Sequence, residues 1–442
     1  MREDFKSTAR ELADFSLPLI ASGVLQQLYN WADAFIVGNV VGEAALAAVG
    51  ATATAVGFYI YLVAGFSVGL SILFAQTYGS GDMRAMPRIL STFSAVFLAA
   101  FSALAAFGMA TAPALLRLLH TTPDTIAMAE DYLVIVLAGV PFLALYNVYS
   151  AALRGLGDSR APFYAVLVSS AVNVALDLLF VAVFRWSVAG AAAATVASQA
   201  AMALFLIFYA ARRYPVLRFN FKDKLIDRAA LADGCRLGFP PTVQFSVTSL
   251  GNLALQNFMN GFGTQTVAAV TTAYRIDTII LLPIINLGSA ISTLVAQSRG
   301  AGDRERMGRI FSAGAALMAA VSVALTLLVI PTGSRLIALF GAGGEAVAIG
   351  HDFFLRIASF YWAFGLATAF RGYIEGLGDV LWSSCAGIAA LAFRIAASYA
   401  LVPFFGNMSI AFAEAFQWLL LLALYAARAS YKKKSLDELR KA

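Results

Sequence analysis

Two polar side chains in an otherwise apolar stretch, Asn173 and Asp177, are the first residues in this sequence that indicate chemistry. The stretch, residues 161–183, is long enough to cross a bilayer as a helix. Because the two residues are four apart, they lie on the same face of that helix. A carboxylate at membrane depth costs about 2.5–3.5 kcal/mol on insertion scales, so such acids usually mark ion pathways or pair with partners.

A second polar face lies on the first long apolar segment of the chain. Gln26, Asn30 and Asp33 recur at helical spacing, and Tyr29 lies one turn before Asp33. Polar groups of a membrane helix need to face protein or water rather than lipid. We therefore expect this face to line a cavity, with Gln26, Tyr29 and Asn30 as candidate substrate contacts.

The two carboxylates have similar expected depths. At about 1.5 Å of rise per residue, Asp33 lies about five residues, Asp177 about six or seven and Thr195 about seven residues below the outer ends of their helices. Asn173 and Tyr29 lie one turn deeper. Two carboxylates at one level favour a shared cation or proton. The alternative is a rigid core in which nearby hydroxyl and amide groups satisfy each Asp.

Composition places this chemistry in a membrane. Of 442 residues, 60% are hydrophobic and 13% are charged, with a mean hydropathy of +0.78. A soluble domain is about half apolar and a quarter charged. Two cysteines (Cys235, Cys385) and two histidines (His120, His351) do not form a metal-site pattern. With no catalytic triad or nucleotide loop either, we expect neither an enzyme, nor a cofactor, nor a nucleic-acid partner.

The remaining sequence predicts the helices that position these residues. Apolar runs of about 20 residues or more, bounded by charges, Gly and Pro, predict an all-α integral membrane protein with twelve spans. Pro141 and Pro283 lie inside two of the spans and predict kinks, whereas Gly65 and Gly69 predict close helix packing. The spans cover residues 15–38, 45–75, 88–111, 127–152, 161–183, 188–211, 236–260, 265–295, 308–330, 347–372, 380–403 and 408–428.

The distribution of basic residues predicts the orientation of these helices. Three of the 31 Lys and Arg residues lie in loops on the side opposite the N-terminus, and three lie within spans. The remaining Lys and Arg residues lie on the same side of the membrane as the N-terminus or at its border. The C-terminal tail lies on this side as well. Because cytoplasmic loops carry the excess of basic residues, we expect both termini in the cytoplasm of a cell-membrane protein.

The two halves of the chain are repeats. The segment Ala75–Asp82 returns as Ala296–Asp303, and Gly155–Asp158 returns as Gly376–Asp379, both at an offset of 221 residues. The offset covers six spans, so both halves insert the same way up, as in rocking transporters with a site between the repeats. The predicted domains are an N-lobe (1–211), a cytoplasmic linker (212–235), a C-lobe (236–428) and a cytoplasmic tail (429–442).

The second repeat does not copy the acidic site. At the same offset, Asn173 corresponds to Arg394 and Asp177 to Ser398. Arg394 and Glu414 lie in neighbouring predicted helices, and we interpret them as a buried structural charge pair. The sequence does not decide whether Asp277 forms an ion pair or contacts the substrate. Coupling chemistry is therefore predicted in the N-lobe alone.

The duplicated motifs resemble the multidrug and toxic compound extrusion (MATE) family over essentially the whole chain. They are the Ala-Gln…Gly-x-Gly-Asp turns ending at Asp82 and Asp303, followed by Arg154-Gly-Leu-Gly-Asp158 and Arg371-Gly…Gly-Leu-Gly-Asp379. The resemblance implies two lobes in a V shape and cation-coupled efflux, driven by Na⁺ or H⁺, of organic cations and other amphiphiles.

The resemblance also implies site residues. The family builds an N-lobe cation site from an Asp on helix one, an Asn and Asp on helix five and a Thr on helix six, which Asp33, Asn173, Asp177 and Thr195 match. Asn147 corresponds to another N-lobe polar position, at a lower expected depth, and is a further candidate for the substrate cavity. One branch of the family uses acidic residues on helices seven and ten, which the membrane parts of those helices lack here.

These observations favour one hypothesis and leave two alternatives. The first is a monomeric H⁺- or Na⁺-coupled antiporter that exports amphiphilic or organic-cation drugs or metabolites by alternating access, coupled through the N-lobe carboxylates. A flippase for a lipid-linked precursor could use the same scaffold, with Arg356 and Arg394 as its only candidate basic cavity residues. A major facilitator transporter also has parallel halves, but it lacks the duplicated Gly-Leu-Gly-Asp turns.

Overall fold

The chain forms an all-α protein. A computed structural model describes residues 2–119, 121–219, 225–341 and 343–441, so that His120 and part of the predicted linker lie outside the described residues. Within these ranges every regular element is helical. The predicted all-α fold class is therefore confirmed.

The first half of the chain contains seven α-helices within the described ranges. Two of them continue into π-helical segments, Val37–Val41 after the first helix and Leu178–Val183 after the sixth. The helices are α1 (Arg2–Ile36), α2 (Glu43–Gly79), α3 (Ala85–Leu118), α4 (Pro123–Ala138), α5 (Val140–Gly155), α6 (Arg160–Asp177) and α7 (Ser187–Arg213).

The second half contains nine α-helices within the described residues. Short 3₁₀ turns lie at Pro215–Leu217, before this half, and at Gly406–Met408 within it. The helices are α8 (Arg228–Asn260), α9 (Thr264–Ile280), α10 (Leu282–Gly300), α11 (Arg304–Leu339), α12 (Gly344–Ala358), α13 (Tyr361–Gly376), α14 (Val380–Ala400), α15 (Val402–Phe405) and α16 (Ser409–Lys441).

The helices account for the predicted spans. Eight helical stretches are long and apolar enough to cross a membrane, and two bent pairs bring the number to ten within the described residues. The other two predicted spans lie in α1 and α8, which carry polar side chains such as Gln26 and Asn252 in their apolar stretches. Helix breaks occur next to both Pro141 and Pro283, as predicted.

The chain separates into two compact units. One, here called the N-terminal unit, comprises Ala21–Thr242, and the other, the C-terminal unit, comprises Met1–Ile20 with Val243–Ala442. The boundaries fall inside α1 and α8, so each unit includes part of a helix that continues into the other. The division at the loop 212–235 that the sequence predicts stays a prediction.

The repeated Gly-Leu-Gly-Asp turns connect each repeat to its own last long helix. Asp158 accepts hydrogen bonds from the hydroxyls of Tyr209 (3.1 Å) and Tyr214 (2.9 Å), at the end of α7. Asp379 forms ion pairs with Arg428 (2.7 Å) and Lys432 (3.3 Å) of α16. The same turn thus has the same anchoring role in both units, although the partners differ in chemistry.

Gly65 and Gly69 provide the predicted close packing in the N-terminal unit. A Cβ atom built on Gly69 would lie 2.2 Å from the backbone of Leu237, and one on Gly65 would lie 2.6 Å from Thr242. The start of α8 therefore rests directly on the backbone of α2, where no side chain fits.

We expect Gly69→Ala to destabilise the protein because its methyl group collides with the α8 backbone. Overpacking of this kind costs about 1–3 kcal/mol. Gly50→Ala is the matched control, since nothing lies within 4 Å of its Cβ position on the same helix. Thermal unfolding of the two purified variants in detergent measures the difference. Equal melting temperatures for both variants and the wild type would contradict the packing described here.

Candidate functional site

The two N-terminal carboxylates lie where regular α-helix ends. Asp33 lies in the last turn of α1 and Asp177 is the last residue of α6, and a π-helical segment follows each. π-Helical turns are rare and occur frequently at functional sites. The segments Val37–Val41 and Leu178–Val183 contact each other, and both contact α7. The paired irregular turns bring the ends of α1 and α6 together.

Asp33 and Asp177 face each other at this point. Their carboxyl groups are close enough to hydrogen bond to one another. Asp177 is fully buried, and both of its carboxyl oxygens, like Oδ1 of Asp33, accept no hydrogen bond from a donor among the described residues. Two ionised carboxylates have no donor between them and repel. The pair therefore needs a proton or a cation to be stable in this position.

Asn173 adds more unpaired polar atoms to the same site. It lies one turn before Asp177 on α6, it is fully buried, and both atoms of its side-chain amide lack a partner. Leaving one buried polar group unsatisfied costs about 1–3 kcal/mol. Folded proteins contain few such groups, and each one calls for an explanation. Several of them around one carboxylate pair mark this place as a candidate site for a small polar ligand.

Thr195 lies on α7, which contacts both π-helical segments, but its hydroxyl forms no hydrogen bond with the carboxylate pair. Helix α7 packs along α6, and a tight turn joins the two helices. In this turn the rings of Phe180 and Trp186 stack 4.9 Å apart, and Arg185 adopts a left-handed backbone conformation (φ 57°). The turn directs α7 back along α6, with Thr195 half-buried a little over two turns from its start. Helices one, five and six of the sequence prediction are thus neighbours.

The walls beside the carboxylates are aromatic and aliphatic. Tyr29 hydrogen bonds to Gln26 and lies close enough to Asp33 to interact with it electrostatically. Tyr132 of α4 lies close enough to both carboxylates to interact with them electrostatically. An apolar cluster packs around the π-helical segments and fixes their geometry. Its buried members include Ile36, Val37, Tyr132, Val136, Val181, Val188, Ala191 and Ala192.

The sequence does not single out Tyr132, which lies beside the carboxylates, or Gln199, which lies on the same helix as Thr195. Tyr132 carries no distinguishing pattern in its helix, because tyrosines are common in membrane spans. Gln199 has a buried, unpaired Oε1 and lies one turn after Thr195 on α7. Its spacing of four residues from Thr195 is a signal that could have identified it.

The predicted substrate contacts have different surroundings. Gln26 and Asn30 are exposed on α1, and the Asn30 amide donates only a long hydrogen bond (3.4 Å) to Gln27. The Asn147 amide donates to the carbonyl of Leu143 on its own helix (2.9 Å). None of these three side chains has a recorded contact with the carboxylate pair, and their role in substrate binding stays a prediction.

Arg394 and Glu414 form an ion pair inside the C-terminal unit. Nη2 of Arg394 lies 2.7 Å from Oε2 of Glu414, and both residues are at most 9% exposed. The Tyr274 hydroxyl hydrogen bonds to both partners. Asp277, which the sequence left open, accepts a hydrogen bond from the hydroxyl of Tyr361.

Known proteins match this chain over most of its length. The MatE family model matches residues 18–179 and 240–400. A probable multidrug resistance protein of Bacillus subtilis, YpnP, is 30% identical over 373 residues, which cover 84% of this chain and 83% of the relative. The multidrug export protein MepA of Staphylococcus aureus is 22% identical over 374 residues, covering 84% and 82% of the two chains.

The fold of the chain also matches a solved structure over nearly its whole length. A solved outward-facing multidrug resistance MATE family transporter of the MOP superfamily superposes with a TM-score of 0.91. The match covers 98% of this chain and 97% of that one, at 20% sequence identity. Family model, relatives and fold agree with the duplicated turns, and the chain belongs to the MatE family of multidrug and toxic compound extrusion transporters.

Proposed function

We propose that this chain is an antiporter that exports small amphiphilic or organic-cation molecules in exchange for H⁺ or Na⁺. The observation that carries the proposal is the contact between the carboxyl groups of the half-buried Asp33 and the fully buried Asp177, with no donor between them. A family of transporters supplies the scaffold, and the multidrug relatives support the substrate class.

The coupling ion binds between the two carboxylates. A proton bridges them as a hydrogen bond, whereas Na⁺ takes oxygen ligands from Asp33, Asp177, Asn173 and Thr195. Either ion removes the repulsion that separates α1 from α6 when both acids are ionised. The site therefore has two arrangements, open without the ion and closed with it.

Export follows from linkage between this site and the substrate. If ion binding favours the arrangement that binds substrate weakly, then substrate binding favours ion release by the same free energy. An inward ion gradient thereby drives outward substrate movement. Because α1 carries both Asp33 and the exposed Gln26 and Asn30, its movement can connect the two sites.

The proposal includes the membrane arrangement. Both termini lie in the cytoplasm of a cell-membrane protein, because the basic residues are concentrated in the loops on that side. The complete carboxylate pair lies within one chain and one unit, so a monomer contains every residue that the coupling step needs.

Asp177→Asn is expected to abolish gradient-driven export while the protein still folds. The amide keeps the size of the side chain but no longer exchanges a proton or carries the charge that binds a cation. The measurement is export of a fluorescent organic cation by purified protein in liposomes, with H⁺ and Na⁺ gradients imposed separately. Asp233→Asn, an exposed change at the cytoplasmic end of α8, is the control. Coupled transport by Asp177→Asn at the control rate would overturn the proposal.

The same site predicts an effect on stability. A ligand present at 100 times its dissociation constant stabilises the folded state by about 2.7 kcal/mol. We therefore expect the wild type to melt at a higher temperature either when NaCl replaces KCl at fixed pH or when the pH is lowered, and Asp177→Asn to lose that response. The responsive condition identifies the coupling ion. Identical responses of the two proteins to both conditions would contradict ion binding at this site.

A further inference from the structure

A second buried polar cluster lies in the C-terminal unit. Helices α9, α13, α14 and α16 contribute its members, and the relative exposure of Asp277 is 4%, of Glu414 8% and of Arg394 9%. The full cluster is Tyr274, Asp277, Tyr361, Arg394 and Glu414. The repeat does not relate it to the Asp33–Asp177 pair, since Ser398 is the counterpart of Asp177.

The positive charge of this cluster is already matched. Arg394 pairs with Glu414 and also donates to the Tyr274 hydroxyl, both at 2.7 Å, and Tyr274 donates to Glu414 at 2.8 Å. These three side chains form a neutral group, in which Nη2 of Arg394 is paired and its buried Nε has no hydrogen-bond partner among the described residues. Asp277 has no ion-pair partner within 4 Å among the described residues, and the hydroxyl of Tyr361 is its recorded donor. An ionised Asp277 would therefore leave one excess negative charge in the cluster.

Among the described residues, no other charged side chain balances the negative charge of an ionised Asp277. Arg394 attracts and Glu414 repels the Asp277 charge, so their effects oppose each other. On the elements packed against α9, Arg356 of α12 is paired with Asp352, His351 lies beside Gly333, and Arg335 of α11 is exposed. On α9 itself Arg275 is exposed, and the charged residue of α10 is Arg299 at its far end.

Aromatic rings shield the cluster from water. Trp418 packs on Tyr361 with ring centroids 6.1 Å apart, and Phe353 packs edge-on against Tyr274 at 5.3 Å. Tyr361 and Phe353 are fully buried. An unpaired charge in such surroundings costs several kcal/mol, whereas a protonated carboxyl group does not incur that cost.

The hydrogen bond of Asp277 joins two broken helices at their breaks. Asp277 lies in the last turn of α9, which bends by 42° into α10 next to Pro283. Tyr361 is the first residue of α13, where the α12–α13 pair bends by 48°. One hydrogen bond thus connects the two bent spans of the C-terminal unit at the points where their backbone bonding is interrupted.

From this geometry we infer that Asp277 is a second proton-binding site, distinct from the N-terminal carboxylate pair, whose proton holds the two helix bends together. With the proton bound, the Asp277–Tyr361 hydrogen bond links neutral groups in a dry cluster. When the proton leaves, the carboxylate needs water or a cation, and the two bends separate to admit it. The chain then carries two proton-responsive elements, one in each unit.

Infrared spectroscopy of the purified full-length protein in lipid nanodiscs tests the site. At neutral pH the spectrum of the wild type should contain a carbonyl component of protonated carboxylic acid that is lost in Asp277→Asn and kept in the control Asp233→Asn, so that it appears in the difference between the wild type and Asp277→Asn. In Tyr361→Phe the band should remain but move in frequency, because the carboxyl group loses its hydrogen-bond partner. An unchanged band in Asp277→Asn would overturn the assignment. If that variant fails to fold, an unchanged frequency in Tyr361→Phe would do so.

Hydrogen exchange tests the connection between the bends. Amides around residues 281–283 and 359–361, corrected for intrinsic rates, should exchange about tenfold faster in Tyr361→Phe than in the wild type, the equivalent of one hydrogen bond of roughly 1.4 kcal/mol. In the wild type this exchange should accelerate as the pH rises, and in Asp277→Asn it should not. Equal exchange at both breaks in all three proteins would contradict the inference. Asp177→Asn is expected to leave this exchange unchanged while it abolishes export, so failure of this inference and failure of the proposed export function are distinguishable.

Discussion

The contact between Asp33 and Asp177 is the constraint on which the rest of the structure depends. Two carboxyl groups within hydrogen-bonding distance, one half-buried and one fully buried, repel each other when both are ionised unless a proton or cation lies between them, and Asn173 adds further unpaired atoms. The backbone accommodates this contact with a π-helical segment after each carboxylate, and an apolar cluster fixes both segments. In the proposed mechanism, this repulsion is what makes the site respond strongly to a small ion.

The two repeats have diverged around a common scaffold. Each retains the Gly-Leu-Gly-Asp turn that anchors its last long helix, through tyrosines at Asp158 and through basic residues at Asp379. The buried chemistry differs, because the N-terminal unit has an uncompensated acidic pair whereas the C-terminal unit has a matched Arg394–Glu414 pair beside a lone Asp277. Duplication therefore supplied the framework, and separate substitutions supplied the polar sites.

Much of this arrangement can be predicted from the amino-acid sequence, for physical reasons. Long apolar runs indicate the spans, and the high cost of a carboxylate in a membrane is enough to mark Asp177 as a functional candidate. Helical spacing and depth bring Asp33 and Asp177 to one level, but not into contact, because a π-helical segment has no sequence signature of its own. Tyr132 and the Asp277–Tyr361 hydrogen bond depend on packing between helices distant in sequence, which periodicity does not report.

A double-mutant cycle on coupled export measures most directly whether the two carboxylates act as one site. Gradient-driven transport is compared in the wild type, Asp33→Asn, Asp177→Asn and the double variant, reconstituted at equal protein amounts. If the acids share one ion, either single change removes coupling and the double variant is no worse than the singles, so the effects are strongly non-additive. Additive losses, with each single variant retaining partial coupling, would contradict a shared ion.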